Sequence, residues 1–278
     1  LNSSIAFIGA GNMSGAIIGG LVKRGYPATL ITATGRTLPK LEALNAEYGV
    51  NYTTDNEAAC AADIIVVGVK PQMLQATVLP LRPFLKHKPL IISVAAGIPM
   101  SSLESWMGEE LAIVRCMPNT PSLVQVGASG LFANAHTNKE EKDAAEHILS
   151  AVGIVEWLKK EDLIDAVIAV SGSGPAYYFM FMEAMIAAGI AQGLTPSTAR
   201  ELTIQTALGA ASLAQQSDVD VSELRRRVMS PGGTTEQAVF SFEQQGLAKM
   251  VATAMARCAD RAQEMAAELG NTNTGDKV

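Results

Sequence analysis

Short, β-branched apolar runs recur along this chain up to about residue 158 and then stop. They lie at Ile5–Ala10, Thr29–Thr34, Asp63–Lys70, Pro89–Ala96, Leu111–Met117 and Ile154–Leu158. Helical patterns separate them, such as Leu38, Leu41, Leu44 and Tyr48 at three-to-four spacing, and a further one over Asn138–Val152. Continuous apolar strands alternating with helices predict a doubly wound, mostly parallel sheet covered on both faces, a Rossmann-like α/β domain over residues 1–159. From Glu161 onward only helical patterns remain: Glu161–Ala169, Pro175–Gln192, Pro196–Gln215, Val221–Met229, Thr235–Gln245 and Leu247–Leu269. Pro175 and Pro196 suit a first helical turn, and Gly193 suits a stop. Residues 160–270 therefore read as an all-helical domain, and the polar residues 271–278 as a disordered tail.

One helix in the second half is unusual. Pro175–Gln192 carries Tyr178, Phe179, Met180, Phe181, Met182, Met185 and Ile186, apolar on nearly every face. Such a helix has to be buried all round, which a small helical domain cannot do alone. A second copy of the chain is expected to help cover it. The apolar stretch around it, Ile164–Ala191, is broken by Ser171–Pro175 and carries Glu183, so it does not predict a membrane span, which needs roughly 20 unbroken apolar residues.

Charge and cysteine content exclude other classes. The net charge of −6 gives no basic face for nucleic acid, and Arg225–Arg227 is too short to change that. Cys60, Cys116 and Cys258 are scattered, as are His87, His136 and His147. No disulfide framework or metal-ligand spacing results, and a reducing cytoplasmic setting is expected. No basic-then-apolar leader is visible, because the strand Ile5–Ile8 runs straight into glycines.

Those glycines are the first functional signal. Ile8-Gly9-Ala10-Gly11-Asn12-Met13-Ser14-Gly15 reads as a strand end, a tight turn and a helix start. Gly9 permits the turn, and Gly11 lets backbone approach a pyrophosphate on the helix N-terminus. Ser14 stands where the usual dinucleotide fingerprint has its third glycine. An NAD site wants an acid at the end of the second strand. Here Thr32–Thr37 offers none, while Thr34 and Arg36 are suited to a 2′-phosphate, so NADPH is the expected cofactor and NADH a lesser one. Arg36 also fits a solvated loop charge. Asn56 opens a helix, where it would cap the helix or reach the adenine ribose. Val69-Lys70-Pro71 closes the strand Asp63–Lys70 at the ligand-binding edge; Lys70 faces cofactor, substrate carboxylate or water. Ala95-Ala96-Gly97 ends the strand Pro89–Ala96 with almost no side chain, which suits a flat nicotinamide or plain packing.

In the helical half, Ser171–Tyr177 and Ser230–Thr235 read as two glycine loops feeding helices. Loops of this kind aim several N–H groups at one point and hold a carboxylate without arginine; ordinary capped turns have the same composition.

Taken together the motifs resemble pyrroline-5-carboxylate reductase. The matching stretches are FIGAGNM at Phe7–Met13, VKP at Val69–Pro71, AAG at Ala95–Gly97, MPNTP at Met117–Pro121, EDLIDAV at Glu161–Val167, SGSGPAY at Ser171–Tyr177 and SPGGTT at Ser230–Thr235. The resemblance implies reduction of 1-pyrroline-5-carboxylate to L-proline. It also implies a homodimer with interlocked helical domains, sometimes built into a ring of dimers. Gly233, Thr234 and Thr235 would bind the substrate carboxylate, with Glu161 near the ring. The substrate is a cyclic imine whose protonated form already accepts hydride, so placement about 3–3.5 Å from the donor carbon is the main requirement. That accounts for the lack of an evident catalytic histidine or cysteine. Thr235 is the candidate donor to the ring nitrogen, with helix capping as its rival role, and Lys70 would supply positive potential. A β-hydroxyacid dehydrogenase of related build would be expected to carry a catalytic lysine just past the domain boundary, and no lysine lies between Lys160 and Lys249. A non-catalytic NADP sensor would not need SPGGTT.

Overall fold

A computed structural model describes residues 2–270, in two compact units. One comprises 2–173 and 258–270, the other 174–257. The tail expected to be disordered lies outside the described residues.

The first unit is built on one eight-stranded sheet: β1 (Ile5–Ile8), β2 (Ile31–Thr34), β3 (Asn51–Thr53), β4 (Ile64–Val67), β5 (Leu90–Ser93), β6 (Ile113–Met117), β7 (Gly127–Ala133) and β8 (Gly153–Trp157). Their spatial order is β3-β2-β1-β4-β5-β6-β7-β8. All neighbours pair parallel except β6 and β7. Helices α1 (Asn12–Lys23), α2 (Leu38–Tyr48), α3 (Asn56–Ala59), α4 (Pro71–Val78), α5 (Met100–Met107) and α6 (Lys139–Ser150) cover both faces. Side chains alternate between two cores, because successive strand residues point to opposite faces. Ile5 and Phe7 pack with Ile17, Ile18, Val114 and Ile148, whereas Ala6 and Ile8 pack with Ile65, Leu74, Ile91 and Leu103.

Two strands were not foreseen. β3 is three residues long and lies on the sheet edge. β7, Gly-Ala-Ser-Gly-Leu-Phe-Ala, lacks β-branched residues because it makes room for α7 (Leu163–Val167): a Cβ at Gly130 would come within 2.8 Å of Val167.

The second unit holds α8 (Gly174–Ala191), α9 (Pro196–Gln215), α10 (Val221–Val228), α11 (Thr234–Gln244) and the first half of α12 (Leu247–Gly270). These ranges follow the helices expected from the sequence to within a residue or two. Phe181 of α8 and Phe242 of α11 place their rings 5.9 Å apart. The arginine run on α10 is offset by acids: Glu223 accepts from Arg226 and Arg227, which hold its carboxyl down to about 2, and Arg225 pairs with Glu243. Within one chain α8 is not buried. Tyr178, Phe179 and Met180 are 69%, 59% and 67% exposed, so its cover has to come from outside the protomer. Among the described residues no helix is long and apolar enough to cross a membrane.

The segment Ser171–Tyr177 departs from expectation. It is helical rather than a loop: α7 runs into a π turn over Ile168–Gly172, and α8 begins at Gly174. The extra residue of the π turn shows in the bond from Ser173 N to Ile168 O, 2.8 Å.

Candidate active site

The order β3-β2-β1-β4 reverses the winding between β1 and β4, the crevice where ligands enter open α/β sheets. Gly9 leaves β1 there with φ +93°. A Cβ at this position would stand 2.6 Å from Val69 Cγ1 and 3.0 Å from the Val69 amide nitrogen, so the turn closes against the exit of β4 only with glycine. Ser14, in place of a third glycine, is fully buried and donates its hydroxyl to Gly9 O at 2.7 Å, locking the turn from within. Gly11 is the N-cap of α1 and offers no side-chain cap. The first amides of that helix, from Asn12, are therefore left for an anion, with the positive helix end behind them.

The other residues of the fingerprint shape this cradle. Ile8 is fully buried, and its carbonyl accepts from Gly68 N at 2.9 Å; Ala10 N donates to Thr34 O at 2.7 Å; Met13 packs against the core. At the end of β2 the structure revises the division of labour. Thr34 is fully buried and donates its hydroxyl to Asn56 Oδ1 at 2.6 Å, so it positions Asn56 and is not itself turned outward. Asp55, not Asn56, caps α3, accepting from Glu57 N and Ala58 N. The amide nitrogen of Asn56 has no partner among the described residues. Arg36 is exposed in the loop after β2 and likewise unpaired among them. No acid stands beside it in that loop. A 2′-phosphorylated dinucleotide fits these residues.

Two further strand ends lie on the same edge. Lys70 is exposed at the N-cap of α4, with half-buried Val69 before it and Pro71 as the first helical residue. The loop Ala95-Ala96-Gly97 follows β5, and Gly97 has φ +71°. It sits beneath the end of α12: a Cβ on Gly97 would meet Leu269 Cδ1 at 3.4 Å and Met265 Cβ at 3.6 Å. That cover was not legible from the sequence.

Glu161 is anchored through one oxygen of its carboxylate. Its Oε1 accepts from Met100 N at 2.6 Å and from the Arg115 guanidinium, whose side chain is 9% exposed. The pair ties the start of α7 to β6 and to the first turn of α5. Nearby, burial pushes the Asp165 carboxyl up, against the pull of a hydrogen bond from Gln263 and the charge of Arg115. Arg115 went unnoticed in the sequence because it sits inside an otherwise apolar strand.

In the helical unit, Gly233 is the N-cap of α11 and again supplies no side-chain cap. Gly232, at φ +72°, donates its amide to Glu236 Oε2 at 2.8 Å, which closes the turn. The amides of Thr234, Thr235 and Glu236 are the free donors of this terminus. Thr235 lies one residue inside the helix, and its hydroxyl makes no hydrogen bond among the described residues. The capping role is thereby assigned elsewhere. Burial pushes the Cys60 thiol up to about 11 and the Cys116 thiol to about 12, so neither is a thiolate near neutrality.

Comparison with known proteins bears out the resemblance. The family profile described as pyrroline-5-carboxylate reductase dimerisation matches residues 161–265, and that described as NADP oxidoreductase coenzyme F420-dependent matches 4–97. The pyrroline-5-carboxylate reductase of Pseudomonas aeruginosa is 49% identical over 267 residues, 96% of this chain and 98% of the relative. The solved structure of a pyrroline-5-carboxylate reductase from Coxiella burnetii is 44% identical with a TM-score of 0.93, covering 95% and 99% of the two chains. That of the Plasmodium falciparum enzyme with NADP bound is 30% identical, with a TM-score of 0.83 over 95% and 98%. With identity sustained over nearly the full length of both partners, this chain belongs to the pyrroline-5-carboxylate reductase family.

Proposed function

We propose that this chain reduces 1-pyrroline-5-carboxylate to L-proline with NADPH as the hydride donor. One observation carries the reading: a single chain bears two glycine-made, uncapped helix N-termini, one on the sheet at Gly9–Met13 and one at Gly233–Thr235. The first fits a pyrophosphate and the second a small carboxylate.

NADPH supplies the hydride when bound. The amides from Asn12 onward, carried by the Gly9–Gly11 turn, hold its pyrophosphate; Arg36 and Asn56 read the 2′-phosphate and ribose; Val69–Pro71 and Ala95–Gly97 line the strand ends beyond. Gly233, Thr234 and Thr235 orient the substrate through its carboxylate. Thr235, with its hydroxyl uncommitted, hydrogen-bonds the ring nitrogen; when the neutral imine binds, it passes a proton to that nitrogen as the hydride arrives and takes one back from solvent. Lys70 adds positive potential for two anions in a chain of net charge −6. Glu161 acts through Arg115. By sequence, residues 1–159 read as the cofactor domain and 160–270 as the dimerisation and substrate domain, a division supported by the profile match at 161–265; by packing, 160–173 and 258–270 stay with the sheet. The exposed face of α8 supports a homodimer as the working unit; sedimentation separates this from a ring of dimers. The cytoplasm is the proposed compartment, supported by three unpaired cysteines.

The test is to mix protein, NADPH and 1-pyrroline-5-carboxylate and follow absorbance of the reduced nicotinamide. Loss of absorbance matched by proline formation is the expected result; none would refute the reading. In the same assay, Arg36→Asp should reverse the preference for NADPH over NADH, since it trades a phosphate ligand for a ribose ligand. Unchanged selectivity would show that this loop does not read the phosphate.

A further inference from the structure

Asn119 and Pro175 belong to two motifs far apart in sequence, MPNTP and SGSGPAY, and the structure links them. The carbonyl of Ser171 lies in the π turn between α7 and α8. In an α-helix it would pair with the amide four residues on, but that residue is Pro175, which has no N–H. The donor comes from outside the helix: Asn119 Nδ2 donates to Ser171 O at 3.1 Å. The other end of the same side chain accepts from Ala128 N, the second residue of β7, at 2.9 Å. Asn119 is 8% exposed, and its partners Ser171 and Ala128 are half-buried, so both bonds are partly shielded from water. The π turn is seated closely beside them. A Cβ on Gly172 would come within 2.7 Å of Met117 Cε, and one on Gly130 within 2.8 Å of Val167. Ser171 Oγ donates back to Val167 O at 3.1 Å, which leaves the Ser171 carbonyl as the group needing an external partner.

We infer that Asn119 is a positioning residue that supplies the hydrogen bond Pro175 withholds, and so fixes the π turn from which α8 departs. The inference deepens the proposed function and rests on it for its catalytic consequence. In that reading the cofactor contacts lie before residue 100 and the carboxylate contacts beyond residue 230. The clamp touches neither, yet holds the last sheet-borne residues before the substrate-binding half of the chain. Loosening it should therefore lower turnover and leave cofactor affinity alone.

A double-mutant cycle on the full chain tests this. Asn119→Ala should reduce kcat about tenfold, a fraction of the roughly 100-fold that a 1 Å misplacement costs, with the NADPH Kd within about twofold. Pro175→Ala restores the amide that an α-helical path would pair with Ser171 O. In that background Asn119→Ala should change kcat by no more than about twofold, and should lower Tm by less than it does in the wild type. Asn119→Asp keeps the acceptor for Ala128 N and removes only the donor; it should reproduce the loss of kcat, and it serves if the alanine variant does not fold. Equal losses of kcat in both backgrounds would overturn the link to Pro175, and a parallel loss of NADPH affinity would overturn the positioning role. If the wild type does not reduce 1-pyrroline-5-carboxylate, the proposed function fails, while the clamp is still judged by the coupling in Tm.

Discussion

Gly9→Ala should lower kcat/KM for NADPH about 100-fold, the loss expected when binding groups move by roughly 1 Å. The cause is double. At φ +93° an alanine pays a left-handed penalty of about 1–2 kcal/mol. Its Cβ would also stand 2.6 Å from Val69 Cγ1, 3.0 Å from Val69 N and 3.1 Å from Gly68 C. A side chain tip can turn aside; two backbone atoms at the exit of β4 cannot. The turn must open, and with it the amides at the start of α1 leave their common focus. Ser14 adds to the cost, since its hydroxyl is bonded to the carbonyl of Gly9. Fluorescence titration with NADPH measures the effect directly. An alanine variant that binds NADPH within threefold of wild type would remove this turn from the cofactor site.

Thr235→Ala should lower turnover about 10- to 150-fold, the equivalent of losing one hydrogen bond to a charged group worth roughly 1.5–3 kcal/mol. The Tm should stay where it is. From sequence alone the same threonine served equally as a helix cap, whose loss would cost about 1 kcal/mol of stability. The structure separates these roles, because Gly233 occupies the cap and the Thr235 hydroxyl holds no hydrogen bond among the described residues. NADPH affinity should also be unchanged, since Thr235 lies far along the chain from Gly9–Met13 and Arg36. Steady-state kinetics and a thermal melt on one variant suffice. Native kinetics with a lowered Tm would return Thr235 to a structural role.

Much of the fold was legible because its signals are local. A parallel strand reads as a short, largely apolar run, and six of the eight strands were recognisable that way. β7 was hidden because its glycines answer to neighbours distant in sequence, Gly130 to Val167 and Gly127 to Val152, and not to strand propensity. The π turn was hidden for a related reason: glycine, serine and proline in Ser171–Pro175 are the composition of a loop, and the partner of the Ser171 carbonyl, Asn119, lies about fifty residues earlier. The cofactor cradle was legible as a pattern, but the roles inside it were not. That Thr34 would face Asn56, that Asp55 would cap α3, and that Glu161 would be held by Arg115 are outcomes of packing. Periodicity places residues on elements; it does not say which neighbour a hydroxyl or carboxylate meets.

The end of α12 bears on the order in which the protein matures. Residues 258–270 belong to the sheet-bearing unit, and Ser102 Oγ reaches Gly270 O across a separation of 168 residues. As the chain leaves the ribosome, every strand of the sheet is made well before Met265 and Leu269, which cover the Gly97 loop. The helical residues 174–257 must be translated in between. Domains commonly fold as units while synthesis proceeds, N-terminal first. Here the N-terminal sheet can form early, yet its loop after β5 stays open until the final helical turns arrive. A nascent chain stalled before Met265 would hold its strands and its first glycine turn but lack the cover over Ala95–Gly97, so this loop is the last part of the sheet's edge to be closed.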